Sequence, residues 1–276
     1  MKIRISILMI LLMSTLTTIA QKKPFILGEI VELNSVELSE KRILNIYLPD
    51  GYNLDDTIIK YPVIYLLDGS ADEDFIHIAG LVQYCNFPWV NILPKSIVVG
   101  IANVDRRRDF TYPTTIANDK RDFPTTGSSR KFIKFLEKEL VPYIESHYST
   151  DTVKTIVGQS LGGLLATEIL FEKPEMFTNY LIVSPSLWWD NESLIKRKSV
   201  LLDSSNQQQK KIFIAVGNEG VQMENDAKAL TNLFENDGNH KLIVKFEFIG
   251  KENHASIFHQ AVYNGFKMMK GDAIKK

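Results

Sequence analysis

Cysteine is almost absent: Cys85 is the only one, so no intramolecular disulfide can form even in an oxidising compartment. Four-cysteine zinc sites and Cys-x-x-Cys redox chemistry are excluded with it. Cys85 stands between Tyr84 and Asn86 in no recognisable nucleophile turn, and is expected to be a semi-buried small side chain. An excess of charge is also missing. The 32 Lys and Arg are matched by 33 Asp and Glu, which excludes the basic footprint of a nucleic-acid partner and a polybasic membrane anchor. There is no internal repeat and no low-complexity tract. The apolar run at residues 5–16 is shorter than the ~20 residues a membrane-spanning helix needs. With Lys2 and Arg4 before it and Thr18-Ile19-Ala20 after it, it reads as a signal peptide over residues 1–20, cleaved before Gln21. No cysteine follows to carry a lipid. The expectation is a periplasmic or secreted domain over residues 21–276, free of the membrane after cleavage. Oligomeric state is not legible.

What is present is strand-like punctuation. Residues 26–33 and 42–48 are apolar-rich and end in turn chemistry, Pro49-Asp50-Gly51 in the second case, and read as antiparallel edge strands. Short continuous apolar runs follow at 61–67, 96–101, 155–157, 180–183, 211–216 and 242–249. Runs without alternation suit strands buried on both faces, as in a parallel sheet. Helical stripes lie between them. Phe132, Leu136, Leu140 and Ile144 recur every four residues, with Gly127-Ser128-Ser129 ahead as a cap and Pro142 expected to kink the last turns or mark a break. Met223, Ala227, Leu230 and Phe234 form another stripe, closed by Asn236-Asp237-Gly238. Residues 162–172 form a third helix. Strand–helix alternation on this scale predicts an α/β fold with a doubly wound sheet. Residues 105–129 lack periodicity, as functional or mobile loops do.

The strongest local signal is Gly158-Gln159-Ser160-Leu161-Gly162-Gly163, a G-x-S-x-G run after a β-branched strand and before a helix. A chain turning that sharply puts the central serine in a strained conformation with its Oγ projecting from the sheet edge. The residues two before and two after approach closely and must be small. The Leu161 amide, at the helix N-terminus, is placed to donate to an oxyanion. The plainer alternative is a glycine-rich turn with Ser160 as a simple N-cap.

Serine needs a base. In this fold the histidine follows the last strand, which selects His254 in Glu252-Asn253-His254-Ala255-Ser256 over His259, His147, His77 and His240. The acid should follow the strand 211–216, which points to Glu219, with Glu224 and Asp226 as alternatives at the opening of the next helix. The second oxyanion donor is expected after the strand ending at Leu67, from Ser70 in Asp68-Gly69-Ser70.

Taken together, these segments resemble the putative-esterase family of α/β-hydrolases, which includes siderophore esterases, feruloyl and acetyl-xylan esterases and S-formylglutathione hydrolase. The likeness runs from about residue 26 to 269. It rests on Tyr-Pro-Val-Ile-Tyr-Leu-Leu-Asp-Gly at 61–69, Arg-Arg-Asp-Phe-Thr-Tyr-Pro at 107–113, Phe-Leu-Glu-Lys-Glu-Leu-Val-Pro-Tyr-Ile-Glu at 135–145, the run at 158–163, Ser-Pro-Ser-Leu-Trp-Trp-Asp at 184–190 and Glu-Asn-His-Ala-Ser at 252–256. The resemblance implies an α/β-hydrolase fold with a mostly parallel sheet of about eight strands and helices on both faces. It also implies a triad of Ser160, Glu219 and His254. Siderophore-esterase-like members carry an acid and a Met at the places of Glu219 and Met223. Feruloyl-type members have Asp where this chain has Gly220, and many relatives have His where it has Gln159, a change expected to tune the pocket.

The expected chemistry is hydrolysis of a small-molecule carboxylic ester through an acyl-enzyme, without metal or organic cofactor. Candidate pocket residues are Trp188, Trp189, Arg106, Arg107, Arg108 and Tyr112, which suit an aromatic or anionic ester such as a siderophore lactone. Alternatives are an esterase of feruloylated or acetylated carbohydrates, an acyltransferase using the same residues, and a catalytically silent ligand-binding module.

Overall fold

Short β-branched runs bounded by turn residues give eight strands among the described residues of the computed structural model, which are 20–56, 58–202, 209–235 and 241–270. The expected leader lies outside them except for Ala20, as do His240 and Asn236-Asp237-Gly238. Strands β1 (Glu29–Ser35), β2 (Glu40–Tyr47), β3 (Tyr61–Leu66), β4 (Ile97–Ile101), β5 (Thr150–Gln159), β6 (Asn179–Val183), β7 (Lys210–Gly217) and β8 (Leu242–Ile249) form one sheet. Their order is β1-β2-β4-β3-β5-β6-β7-β8. The pairings β1–β2 and β2–β4 are antiparallel and all the others parallel. This is the α/β-hydrolase arrangement. One expectation is corrected: β1 is an edge strand, but β2 lies inside, because β4 pairs along its other side.

The helices are α1 (Phe75–Asn86), α2 (Arg106–Phe110), α3 (Ala117–Asp122), α4 (Ser129–Phe135), α5 (Val141–His147), α6 (Leu161–Glu172), α7 (Val221–Glu235) and α8 (Ile257–Lys270). Side chains of a strand alternate between faces, so each central strand feeds two cores. Val63, Tyr65, Ile156, Ile182 and Ile214 pack with α4, α5, α6 and α7 on one face. Ile64, Leu66, Val157, Val183 and Ala215 pack with α1 and α8 on the other. Covering both faces is what removes the polar–apolar alternation from these strands. Cys85 is fully buried in the second core, where burial pushes its thiol up to about 11 and leaves little thiolate for chemistry.

The stripe Phe132-Leu136-Leu140-Ile144 is buried as predicted, but Pro142 does not simply kink the helix. A wider π turn, Leu136–Leu140, joins α4 to α5. Proline supplies no N–H and its ring crowds the carbonyl four residues back; a π turn accommodates that carbonyl without ending the helix. The long 105–129 segment, which lacks periodicity, contains α2 and α3. Both are too short for a hydrophobic period to register.

Candidate active site

The turn from β5 into α6 shows why its glycines are spaced as they are. A Cβ on Gly158 would lie 2.4 Å from the Gly162 carbonyl oxygen, and one on Gly163 would lie 3.0 Å from Pro185 Cα. Between them Ser160 has φ 58° and ψ −119°, a conformation that costs about 1–3 kcal/mol for a non-glycine residue. The surroundings hold it there. The Ser160 amide donates to Val183 O at 3.0 Å, and its carbonyl accepts from the amides of Ser186 (3.0 Å) and Leu164 (2.9 Å). Ser160→Gly is therefore expected to raise stability by about 1 kcal/mol while removing the hydroxyl. Urea unfolding checks this, and an unchanged midpoint would contradict the strain argument.

The loops after β7 and β8 meet beside this turn. His254 Nδ1 lies 2.5 Å from Glu219 Oε2. A carboxylate only accepts, so this contact fixes hydrogen on Nδ1 and leaves Nε2 with a lone pair. Glu219 is held in turn: Oε1 accepts from Ser184 Oγ at 2.5 Å and from the Gly217 amide at 2.9 Å. Its side chain is 2% exposed. Burial pushes its pKa up, but the hydrogen bonds from His254, Ser184 and Gly217 outweigh that and hold it below the ordinary carboxylate value. The alternatives stand elsewhere. Asp226 is buried on α7, where desolvation raises it to about 6, and Glu224 lies in the first turn of that helix.

The two halves are tied through the backbone. Gln159 Nε2 donates to His254 O at 2.5 Å, so the residue before the serine holds the residue carrying the imidazole. In this structure the Ser160 hydroxyl is hydrogen-bonded to Ser186 Oγ at 3.2 Å rather than to His254. The amides of Leu161 and Ser70 donate to no acceptor among the described residues, which leaves both free for an oxyanion. The other histidines of the described residues are engaged elsewhere: His77 Nε2 with His259 Nδ1 at 2.6 Å, and His147 Nδ1 with the Tyr143 carbonyl at 2.8 Å.

A cleft of about 490 Å³ opens over Ser160 and Leu161, walled by Arg106, Arg107, Phe123, Ser186 and Trp188. Arg107 lies over the Phe123 ring, 5.1 Å from its centroid, and Phe123 packs against Trp188 at 5.9 Å. Three expected pocket residues fall outside it. Trp189 is fully buried, donating Nε1 to Tyr112 O at 2.9 Å, and Tyr112 is buried with its hydroxyl on Trp189 O at 3.3 Å. Trp189 packs behind the cleft against Phe123 and Trp188. Arg108 turns away to Glu40 and Asp109, and Asp109 also binds the buried Arg42. Nothing in the local sequence marks Arg42, which stands 67 positions from its partner. Ser184, Ser186 and Phe123 also escape sequence reasoning as site residues, although Ser-Pro-Ser is part of a recognisable motif. Among the described residues, no group of three or more His, Cys, Asp or Glu is placed to hold a metal ion, and no helix is long and apolar enough to cross a membrane.

A family model described as "Putative esterase" matches residues 35–268. The ferri-bacillibactin esterase BesA of Bacillus subtilis (strain 168) is 34% identical over 172 residues, which are 57% of this chain and 59% of that protein. A siderophore triacetylfusarinine C esterase of Aspergillus fumigatus is 23% identical over 249 residues, 76% of this chain and 82% of that one. Among solved structures, an IroE-like serine hydrolase from Shewanella oneidensis superposes with a TM-score of 0.78 at 31% identity, covering 89% of this chain and 80% of that one. The BES protein from Bacillus cereus superposes with a TM-score of 0.79 at 28% identity, covering 91% and 98%.

Proposed function

Since the chain belongs to the putative esterase family, we propose that it is a serine carboxylesterase in which Ser160 is the nucleophile, His254 the general base and Glu219 the acid that orients it. The observation that carries this reading is the His254–Glu219 hydrogen bond at the rim of a strained serine turn. In the reaction the Ser160 hydroxyl exchanges Ser186 for His254 Nε2, gives up its proton and attacks the ester carbonyl. The Leu161 and Ser70 amides take the developing oxyanion. His254 then protonates the leaving alcohol, and water, deprotonated by the same imidazole, releases the acid and restores Ser160.

The substrate class we propose is a siderophore lactone or an aromatic acyl ester. Trp188 and Phe123 offer ring faces, and Arg107 offers positive charge, within the cleft that contains Ser160. The bacillibactin and fusarinine esterases among the relatives point the same way. The leader over residues 1–20, with a periplasmic or secreted mature domain, belongs to the same proposal. The test is a panel of ferric catecholate trilactones, feruloyl sugars, acetylated sugars and short p-nitrophenyl esters. A kcat/KM at least roughly tenfold higher on trilactone or aromatic acyl esters is expected. Equal turnover across the panel would remove the substrate class and keep the esterase.

A further inference from the structure

A carboxylate beside an oxyanion site should oppose catalysis, yet this site has one. Asp68 stands two residues past the end of β3, has a left-handed φ of 55° and is 9% exposed. Its Oδ2 lies 3.2 Å from where a Cβ on Gly162 would stand, so the carboxylate rests against the first turn of α6. That turn begins with Leu161, and the loop continuing from Asp68 carries Ser70: the two amides assigned to the oxyanion flank this charge. Left alone, Asp68 would compete for the positive end of α6 and repel the negative oxygen formed there.

Arg106 answers this charge. Its Nε reaches Asp68 Oδ1 at 2.6 Å and its Nη2 reaches Oδ2 at 3.1 Å, a two-point fork, while the same Nη2 donates to Gln159 O at 3.2 Å. Asn103 Nδ2 adds a bond to Oδ1 at 2.7 Å. One guanidinium thus joins the β3 loop to the residue immediately before the nucleophile. The pair is partly shielded, with side-chain exposures of 32% and 13%, so solvent screens it only in part.

We infer that Arg106 is a positioning residue whose main task is to neutralise Asp68, so that this carboxylate does not oppose the two oxyanion donors, and to fix their spacing. This rests on the reading of Ser160 as nucleophile and deepens it.

The test is charge removal in both partners, read as kcat on one ester and as the rate of fluorophosphonate labelling of the purified chain. Arg106→Gln is expected to lower kcat about 100-fold, the order seen when one oxyanion donor is removed, with a smaller change in KM. Asp68→Asn alone is expected to cost about tenfold or less. The double variant Arg106→Gln/Asp68→Asn is expected to recover to within about tenfold of the unaltered chain, because the unpaired charge is gone. Arg106→Lys, which keeps the charge and loses the fork, is expected to fall between the unaltered chain and Arg106→Gln. Thermal melting of each variant reports folding separately. A well-folded double variant as slow as, or slower than, Arg106→Gln would overturn the neutralising role, as would an unimpaired Arg106→Gln. If the unaltered chain is never labelled at Ser160, the esterase reading falls and this inference with it; labelling without rescue defeats this inference alone.

Discussion

Ser160→Ala is expected to reduce kcat for ester hydrolysis by about 10⁴-fold or more, and to abolish fluorophosphonate labelling, with little change in melting temperature. The size follows from chemistry. Without the hydroxyl no acyl-enzyme forms, and only the free amides at Leu161 and Ser70 and the cleft remain to assist direct attack by water. The small stability change follows from structure. Alanine keeps the Cβ that strains the turn at φ 58°. It gives up only the 3.2 Å hydrogen bond to Ser186 Oγ, worth about 1 kcal/mol. A variant that retained a tenth of the activity would place the nucleophile elsewhere.

Glu219→Gln should be nearly as damaging, about 10⁴-fold in kcat, by way of a tautomer. Two donors, Ser184 Oγ and the Gly217 amide, already claim the inner oxygen. A glutamine must give its carbonyl oxygen to them and turn its NH₂ toward His254. The imidazole then accepts at Nδ1 and carries its hydrogen on Nε2, the nitrogen that has to receive the proton from Ser160. Single-turnover acylation measures this directly; a variant acylated at the normal rate would show that the imidazole is oriented by something else. A pH dependence accompanies it. The folded pKa of Glu219 is depressed, so the stability this carboxylate contributes is fully present above its ordinary value and is lost as pH falls through the lower folded value. The unaltered chain should therefore lose its stability advantage over Glu219→Gln on acidification, as paired urea titrations would show.

Both effects depend on loops that the sheet brings together. Of the strands that carry the site, β7 is legible as an apolar run and β5 through its apolar stretch at 155–157, whereas β8, expected to be buried on both faces, is a half-exposed edge strand that carries Lys245 and Glu247. The π turn before Pro142 is less legible, because the hydrophobic stripe is the same whether the helix kinks or widens. Helices α2 and α3 are invisible for lack of length. Aromatic and basic residues of the 105–129 and 184–190 segments can be nominated for the cleft but not sorted. Tryptophans 188 and 189 are adjacent in sequence, and only packing decides that one faces the cleft while the other is fully buried with its indole N–H on Tyr112 O.

By itself the sequence determined the tight turn at Ser160, since steric crowding between Gly158 and Gly162 acts over five residues and leaves its mark in composition. It also determined the strand–helix alternation, and through chain order it nominated His254 and Glu219. Tertiary structure decided what joins distant segments: Glu219 over Glu224 and Asp226 as the partner of His254, the Gln159 tether to the His254 backbone, and the pairing of Arg106 with Asp68 across 38 positions. The reason is physical. Steric and periodic constraints are written locally, whereas the partner of a buried charge is whichever opposite charge the folded sheet edge sets within hydrogen-bond reach.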